Sequence, residues 1–319
     1  MKQNQLKINH KSHNSYRRVL AVVVVFKINI IMDIDLFGNE ITKDVLLKHK
    51  FIEPPFSLLN STKGDWRNRV NNWKKLGIQS ELGREKSLIP KMSKSLMALK
   101  NHKMHEGTSV FDPALCELLY HWFCPINGEI LDPFAGGSVR GIVANKLGFK
   151  YTGIDIRQEQ IESNREQAFN ILEVNNQPQW YVGDSNEVLD GFKKEFNFLF
   201  SCPPYAFLEK YSNLEKDISN MKYEDFLIAY RSIISKSCNL LKKGSFACFV
   251  VGEVRDKKGN YIGFVPDTIK AFLDCDMKFY NELIYMQGLA GAAITAGVHM
   301  EKSCKVKKTH QNVLVFKKY

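Results

Sequence analysis

The sequence lacks the cysteine pairs that indicate a disulfide framework or a zinc site. Its seven cysteines never form a C-x-x-C pair, and several stand in apolar surroundings. This usage is typical of reduced core residues in a cytosolic protein. Internal repeats and low-complexity tracts are also missing. We therefore expect a cytoplasmic globular protein without a metal site, and the 44% of hydrophobic residues is ordinary for that class.

The apolar run near the N-terminus is too short to span a membrane. It extends from Val19 to Phe26 and is interrupted by Lys27, whereas a membrane helix needs roughly 20 apolar residues. A basic start precedes the run, but no small-residue cleavage site follows, which argues against a signal peptide. Because "MDIDLFGNEIT" resembles a natural protein start at Met32, we expect residues 1–31 to be an extension, either disordered or a start-site artefact.

Positive charge is in excess. Lys and Arg number 45 against 34 Asp and Glu, which gives a formal net charge of +11. Such an excess favours contact with polyanions, of which nucleic acid is the commonest. The length of 319 residues allows one large domain, or a domain with a substantial extension.

From Gly128 onward, apolar runs alternate with amphipathic stretches, which is the pattern of parallel βαβ units. Seven strands are predicted, in "EILDPF", "KYTGIDI", "QWYVGD", "FNFLFS", "SFACFVVGE", "KFYNELIYM" and "QNVLVFKK". The last two have no obvious helix between them, which favours a terminal hairpin. We expect an α/β fold with a doubly wound, mostly parallel seven-stranded sheet and one antiparallel strand at the end. Residues 32–106 lack the alternation and are predicted to form an irregular, basic N-terminal segment.

The stretch "ILDPFAGGSVRG" places a glycine-rich turn directly between a strand and a helix. Glycines there let a ligand approach the backbone, and the amides of the helix N-terminus favour electronegative groups. About 20 residues further on, Asp155 ends the second strand, where a carboxylate can bind ribose hydroxyls. Asp184 ends the third strand, where it can meet an adenine amino group. The pattern predicts a nucleoside site, but the glycines do not follow the G-x-G-x-x-G order of NAD sites.

The motifs "DPFAGGS", "GIDI", "GDS" and "CPPY", in this order, resemble the DNA amino-methyltransferases that use S-adenosylmethionine and act on adenine N6 or cytosine N4. "SVFDPALCELLYHWFC" resembles the family's additional cofactor segment, and "KTHQNVLVFKK" its closing strand. The resemblance covers residues 107–319 and implies a Rossmann-like methyltransferase domain there. The chain from Met32 is most similar to the phage and prophage enzymes. The cofactor residues implied are Phe111, Asp112, Pro113, Asp132, Pro133, Phe134, Ala135, Gly136, Gly137, Ser138, Asp155, Ile156, Asp184 and Ser185.

The chemistry of the family accounts for the Pro-Pro-Tyr turn. An exocyclic amine on a nucleobase is a poor nucleophile, and acceptors for its N–H groups help it to attack a sulfonium methyl. A Pro-Pro turn is stiff and has no N–H of its own, so it can aim a backbone carbonyl at the base. An aromatic side chain can stack on a base that has flipped out of the duplex. The candidate catalytic residues are Ser201, Cys202, Pro203, Pro204 and Tyr205.

The residue before the two prolines departs from the family, which has Asp, Asn or Ser there. Here it is Cys202, and a thiol is a poor hydrogen-bond acceptor. In one interpretation the Pro203 carbonyl carries the task and Cys202 lines the pocket. In another the turn is shifted, so that the Ser201 hydroxyl is the acceptor. A third makes Cys202 a nucleophile for cytosine C5 methylation, but those enzymes place the cysteine after the proline.

Contact with double-stranded DNA is expected from basic residues outside the sheet. Two segments are candidates, one around Trp66 and Trp73 and the other the possible target-recognition loop 287–308. Either tryptophan could instead dock its segment onto the sheet. Arg255 and Asp256 follow the fifth strand and are expected near the base pocket. The candidate DNA-binding residues are Arg67, Arg69, Lys74, Lys75, Arg84, Arg255, Lys305, Lys307 and Lys308.

Two other patterns are interpreted as decoys. "EPPFSLL" repeats the acid-Pro-Pro-aromatic order from Glu53, but it lies outside the alternating region and is predicted to be a loop. His102, His105 and Glu106 lack the HExxH order of a zinc helix, so surface histidines are expected. The family resemblance favours adenine N6 over cytosine N4. An RNA or protein amide methyltransferase, and a relative that has lost catalysis through Cys202, remain alternatives.

Overall fold

The structure is a computed structural model that describes residues 43–79, 111–205, 212, 214, 216–288 and 292–319, with the backbone alone for 43–46 and 292–294. The chain divides into two compact units, Met1–Pro55 and Phe56–Tyr319. In the first unit the described residues are 43–55, of which Lys43–Phe51 form helix α1. The predicted extension 1–31, Arg84 and the histidine pair with Glu106 lie outside the described residues.

Within the described residues, the second unit is built on a sheet of eight strands. The strands are β1 (Leu58–Asn60), β2 (Glu129–Asp132), β3 (Lys150–Asp155), β4 (Gln179–Val182), β5 (Phe196–Ser201), β6 (Leu241–Val251), β7 (Lys278–Met286) and β8 (His310–Lys317). Their order across the sheet is β1-β7-β8-β6-β5-β2-β3-β4. Neighbouring strands are parallel, except that β8 runs antiparallel to both β6 and β7.

The eight helices of this unit surround the sheet. They are α2 (Gly64–Lys74), α3 (Pro113–Phe123), α4 (Val139–Lys146), α5 (Gln158–Ile171), α6 (Ser185–Val188), α7 (Tyr223–Asn239), α8 (Phe264–Leu273) and α9 (Ala292–Ser303), counted over the described residues. Helices α2 to α5 contact one another or the sheet on one face, and α6 to α8 cover the other. The predicted α/β class, with a doubly wound and mostly parallel sheet, is confirmed.

Two details of the predicted fold are wrong. The described sheet has eight strands instead of seven, because Leu58–Asn60 adds a parallel strand beside β7. Residues 58–60 and 64–74 of the predicted irregular segment form β1 and α2. The predicted antiparallel pairing of the last two strands is confirmed, since β8 pairs with β7. The strand β8 lies inside the sheet, and α9 stands between β7 and β8. Residues 53–57 of the Pro-Pro decoy have neither helix nor strand.

Aromatic side chains fill the face of the sheet under α3. The Tyr120 ring is completely buried, and it meets Phe198 and Phe200 edge-on at centroid distances of 6.2 and 5.3 Å. Each fully buried ring of this size contributes about 1.5–3 kcal/mol to folding. The Tyr120 hydroxyl donates to the Arg140 carbonyl at 3.0 Å, so this buried polar group has a hydrogen-bond partner.

On the other face, α7 and α8 pack their apolar stripes over the centre of the sheet. Phe226 and Tyr230 are one helical turn apart on α7, and both contact Phe264 at the start of α8. Phe249 and Phe272 complete this cluster, with their ring centroids 4.9 Å apart. Helix α7 is amphipathic, because its apolar positions repeat at a spacing of three to four residues. No helix within the described residues is long and apolar enough to cross a membrane.

Candidate active site

A cavity of about 460 Å³ lies at the edge where β2, β3, β4 and β5 end. Parallel strands bring their carboxyl ends to one edge, so the turns that follow them lie side by side. The predicted residues that line the cavity are Phe111, Asp112, Pro113, Pro133, Phe134, Gly136, Gly137, Asp155, Ile156, Asp184, Ser185, Cys202, Pro203, Pro204 and Tyr205. The predicted site residues that lie beneath it, fully buried, are Asp132, Ala135, Ser138 and Ser201.

Asp132 is the centre of a buried polar network under the glycine turn. Its Oδ2 accepts from Arg140 Nε at 2.5 Å and from the Tyr151 hydroxyl at 2.7 Å. Burial favours a lower pKa for the Arg140 guanidinium, but the charge and hydrogen bond of Asp132, together with Tyr151 and Cys202, raise the pKa. Arg140 also donates to the carbonyls of Phe134 and Ala135, so it ties the turn to the helix that follows. Asp132 therefore shapes the turn from beneath and does not line the cavity.

The glycine turn is fixed from two sides. Gly136 has a φ of 52°, in the left-handed region that favours glycine. Its N–H donates to Asp155 Oδ2 at 2.9 Å, and its carbonyl accepts from Asn164 Nδ2 at 2.7 Å. A Cβ on Gly141 would lie 2.7 Å from the Trp180 ring, so this glycine lets α4 approach β4 closely. The peptide at Gly136 is thus held in place before any ligand binds.

Two carboxylates end adjacent strands at the cavity. Asp155 also accepts from the Arg157 N–H at 2.9 Å. Burial raises the pKa of the Asp155 carboxyl, and the N–H donors of Arg157 and Gly136 oppose that rise. Asp184 caps α6 by accepting from the Asn186 N–H at 2.9 Å. Both side chains line the cavity, in the positions that the sequence predicted for ribose and adenine contacts.

Helix α5 turns an unexpected polar face towards the glycine turn. Gln160 and Asn164 have no exposed surface at all. Arg157 donates to Gln160 Oε1 at 2.6 Å, and Gln160 donates to Asn164 Oδ1 at 3.0 Å. Asn164 in turn holds Gly136. A buried chain that is hydrogen-bonded from end to end stiffens its surroundings, so this face of α5 supports the turn.

The Cys-Pro-Pro-Tyr turn follows β5 directly and lines the same cavity. Cys202 Sγ lies 3.9 Å from the Tyr205 hydroxyl, and either atom could be the donor. The Tyr205 hydroxyl also accepts from Gln311 Nε2 at 2.5 Å. The Tyr205 ring meets Phe264 edge-on at a centroid distance of 5.9 Å. Tyr205 is therefore held at its hydroxyl and along its ring.

Ser201 faces away from the cavity. Its hydroxyl is completely buried and donates to Asp132 Oδ1 at 2.5 Å. This contradicts the shifted-turn interpretation, in which the Ser201 hydroxyl would accept a hydrogen bond from the base. The alternation of side chains along β5 is the reason, because it turns Ser201 towards the network and Cys202 towards the cavity. Cys202 is partly exposed and forms part of the wall.

Helix α2 docks on α3 through its tryptophans. Trp66 Nε1 donates to Asp112 Oδ2 at 2.8 Å, and Trp73 Nε1 donates to Glu117 Oε2 at 2.7 Å. Both rings are buried. Arg69, predicted to bind DNA, instead forms an ion pair with Glu117 at 2.8 Å. The docking alternative for the tryptophans is thus what the structure shows, and it brings Lys74 to the cavity wall.

The other predicted DNA-binding residues fall into two groups. Arg255 and Lys308 make internal contacts: Arg255 donates to the Gly259 carbonyl at 2.6 Å, and Lys308 Nζ donates to Asn312 Oδ1 at 3.1 Å. Burial lowers the pKa of Lys308. The residues that remain at the surface are Arg67, Lys74 and Lys75, which are exposed, and Lys305 and Lys307, which are partly buried.

Sequence reasoning missed several residues that line the cavity. Ser61 directly follows β1, and Val70 and Tyr285 lie in α2 and β7. The others of note are Arg140, Arg157, Gln160, Lys216, Asp217, Gln287 and Gln311. The "RG" after the glycine turn could have drawn attention to Arg140, but an isolated glutamine has no motif. No group of three or more His, Cys, Asp or Glu among the described residues could hold a metal ion.

No family model matches the chain, and no curated protein matches it. Solved structures do show similarity. TrmN from Thermus thermophilus is 14% identical with a TM-score of 0.45, and the match covers 65% of this chain and 49% of TrmN. The chain therefore spans about half the length of that protein.

Two further neighbours carry names that state an activity. A protein provisionally named a DNA modification methylase, also from Thermus thermophilus, is 20% identical, with a TM-score of 0.32 and coverage of 42% of this chain and 50% of that one. The magnesium protoporphyrin IX methyltransferase of Synechocystis PCC 6803, with bound SAM, is 11% identical. Its TM-score is 0.41, and the match covers 71% of this chain and 92% of that one.

Proposed function

We propose that this chain transfers a methyl group from S-adenosylmethionine to an exocyclic amino group of a base in double-stranded DNA, with adenine N6 favoured over cytosine N4. The observation that carries the proposal is that the Cys-Pro-Pro-Tyr turn and the glycine turn line one cavity. Holding two reactants in one site supplies much of the rate of a group transfer. The preference for adenine rests on the family resemblance of the motifs.

The cofactor side of the cavity fits S-adenosylmethionine. A carboxylate can accept about four hydrogen bonds, and the backbone contacts from Gly136 and Arg157 leave Asp155 with capacity for ribose hydroxyls. Asp184, one strand further, can accept from an adenine amino group. Ile154 and Ile156 give that part of the wall an apolar surface. When bound, the cofactor supplies an electrophilic methyl group on a positively charged sulfur.

The acceptor side offers a backbone carbonyl and an aromatic ring. Pro203 and Pro204 have no N–H groups, so neither residue supplies a backbone donor that could compete for the carbonyls of this turn. We assign to the Pro203 carbonyl the role of accepting a hydrogen bond from the exocyclic amine of the base. Cys202 is then a wall of the pocket, because its thiol is a weak acceptor. Tyr205 provides the face on which the base stacks.

Helix α2 supports a nucleic acid as the acceptor. Asn68, Asn71, Asn72, Lys74 and Lys75 line an open groove on its outer side, called here the α2 groove. Lys74 lines both this groove and the cavity, so the two surfaces are continuous. Lysines bind phosphates, and asparagines donate to both phosphates and bases. A duplex along the α2 groove could place one flipped base in the cavity.

Methyl transfer from tritiated S-adenosylmethionine to mixed-sequence duplex DNA and, in parallel, to total RNA tests the proposal. Nucleoside mass spectrometry of the labelled product is expected to show N6-methyladenine from DNA. Detection of N4-methylcytosine would show that the target is cytosine N4 and not adenine N6. Label in RNA or in protein alone would contradict a DNA substrate, and binding of the cofactor without any label would indicate an inactive relative.

A further inference from the structure

Two glutamines on neighbouring strands reach the cavity beside Tyr205. Gln311 is the second residue of β8, and Gln287 directly follows β7. The strand register pairs Tyr285 with Gln311, and the Gln287 N–H donates to the Thr309 carbonyl at 3.0 Å. The backbone at both glutamines is therefore fixed by the ladder between β7 and β8. Both side chains line the cavity.

The two side chains form a hydrogen-bonded chain that ends on Tyr205. Gln287 Nε2 donates to Gln311 Oε1 at 3.1 Å, and Gln311 Nε2 donates to the Tyr205 hydroxyl at 2.5 Å. The first contact leaves the Gln311 amide little freedom to rotate. The second joins the phenol to the sheet.

Tyr205 lies directly after β5, in a stretch that has neither helix nor strand. The Cys202 sulfur, at 3.9 Å from the hydroxyl, is a weak partner. The Phe264 ring meets the Tyr205 ring edge-on, and Tyr205 packs against the hydrophobic core. The Gln311 amide supplies a close polar contact that neither of these two neighbours provides.

We propose that Gln311, braced by Gln287, is a positioning residue that presets the Tyr205 ring for the methyl acceptor. The inference rests on the proposed function, because it assigns Tyr205 to the acceptor side. A side chain that is ordered before binding does not lose conformational freedom when the acceptor arrives. Loss of one neutral hydrogen bond of this kind corresponds to roughly a three- to tenfold change in an equilibrium constant.

A double-mutant cycle with Gln311→Leu and Tyr205→Phe tests the proposal. In the wild-type background, Gln311→Leu is expected to raise KM for the labelled acceptor roughly three- to tenfold while leaving the Kd for S-adenosylmethionine unchanged. In the Tyr205→Phe background the hydroxyl is already missing, so the same change is expected to have little further effect. Gln311→Glu places a carboxylate oxygen where the amide nitrogen lies, so the phenol can donate to it in the reverse direction, and we expect this variant to restore part of the lost affinity.

Gln177→Leu is the matched control for a purely structural role. Gln177 is also partly buried, and its amide donates to the Leu172 and Glu173 carbonyls at 3.3 and 2.9 Å, but it does not line the cavity. It is expected to lower stability without changing KM. The proposal is overturned if Gln311→Leu behaves like Gln177→Leu, or if it raises KM equally in both Tyr205 backgrounds.

Urea unfolding of the same four proteins of the cycle separates this inference from the proposed function. Non-additive changes in unfolding show that Gln311 holds Tyr205, whatever the acceptor is, and additive changes overturn the link. If RNA is labelled in place of DNA, the proposed function fails, and the KM values of the four proteins are then measured with RNA as the acceptor. If no acceptor is labelled, the proposed function also fails, and the unfolding cycle alone upholds or overturns the contact.

Discussion

The two sides of the cavity are held in different ways. On the cofactor side, Asp132 alone accepts four hydrogen bonds within a fully buried network, and Gly136 is fixed at both its N–H and its carbonyl. On the acceptor side, Tyr205 follows the end of β5 without helix or strand of its own. The contacts of its side chain include one amide, one ring edge and a distant sulfur.

Under the proposed function, the difference matches what each side would bind. A cofactor of constant shape can be met by a turn that is rigid before binding, and buried polar networks supply that rigidity. A polymer has to enter from outside and present one base, so its side of the cavity must remain accessible. Substitutions in the buried network of the cofactor side should therefore lower the free energy of unfolding. Substitutions on the acceptor side should lower the rate of transfer.

The largest expected effect comes from Asp132→Asn. The Asp132–Arg140 pair is 0% and 6% exposed at its two side chains, and removing one partner of such a pair leaves an uncompensated buried charge. We expect the free energy of unfolding to fall by about 3–5 kcal/mol, measured by urea denaturation. The control is Lys270→Ala, which breaks a surface pair with Asp274 and should cost less than about 0.5 kcal/mol. Similar losses for the two variants would contradict a rigid cofactor side.

Asp155→Ala and Tyr205→Ala should separate the two sides functionally. We expect Asp155→Ala to weaken S-adenosylmethionine binding roughly ten- to a hundredfold, since hydrogen bonds to a charged group are lost. Tyr205→Ala should reduce transfer by a similar factor because base stacking is lost, with cofactor affinity unchanged. Calorimetry and initial rates measure the two quantities. The reverse pattern would refute this division of roles.

A smaller effect is expected at the α2 groove. Lys75→Ala should weaken DNA binding uniformly across sequences and lower the slope of log K against log salt by about 1. Lys74→Ala should do the same and also reduce transfer, because Lys74 lines the cavity as well. Fluorescence anisotropy over a salt series gives the slopes, with Lys270→Ala as the control. An unchanged slope for Lys75→Ala would exclude the α2 groove as a DNA contact.

The smallest effect is expected for Cys202→Ala. If the thiol is only a wall of the pocket, kcat/KM should change less than about threefold, because a thiol is a weak hydrogen-bonding group. Ser201→Ala is the companion variant, and it should lower stability by about 1.5–3 kcal/mol through the lost contact with the Asp132 carboxylate. A loss of activity that is specific to Cys202→Ala and exceeds a hundredfold would return a chemical role to the thiol.

Long-range features of the fold were predictable where the signal was periodic. The alternation from Gly128 onward identifies β2 to β8 and α5, because each has a clear apolar pattern. The strand β1 was missed since its three residues are too few to show alternation. Helix α9 was missed because "AAITAGVHMEKS" contains a glycine and few large apolar residues, which gives a weak helix signal.

The motifs predicted which segments form the site better than they predicted which side chains face it. Asp132 and Ser201 belong to the right segments, yet they point into the buried network. Ser201 is turned there by the alternation of side chains along β5, and Asp132 pairs there with Arg140, which lies in α4. Gln160 and Gln311 had no signal at all, because a polar residue on a helix or strand normally indicates a solvent-exposed face.

The position of β8 inside the sheet links the acceptor side to the order of chain synthesis. β8 is the last strand along the chain, yet β1 and β7 join the sheet only through it. Domains fold as the ribosome releases them, at about 5–20 residues per second. The strands of the cofactor side can therefore pair while β8 is still being made. Tyr205, in contrast, waits for Gln311 to emerge, so the nascent protein acquires its cofactor side before its acceptor side.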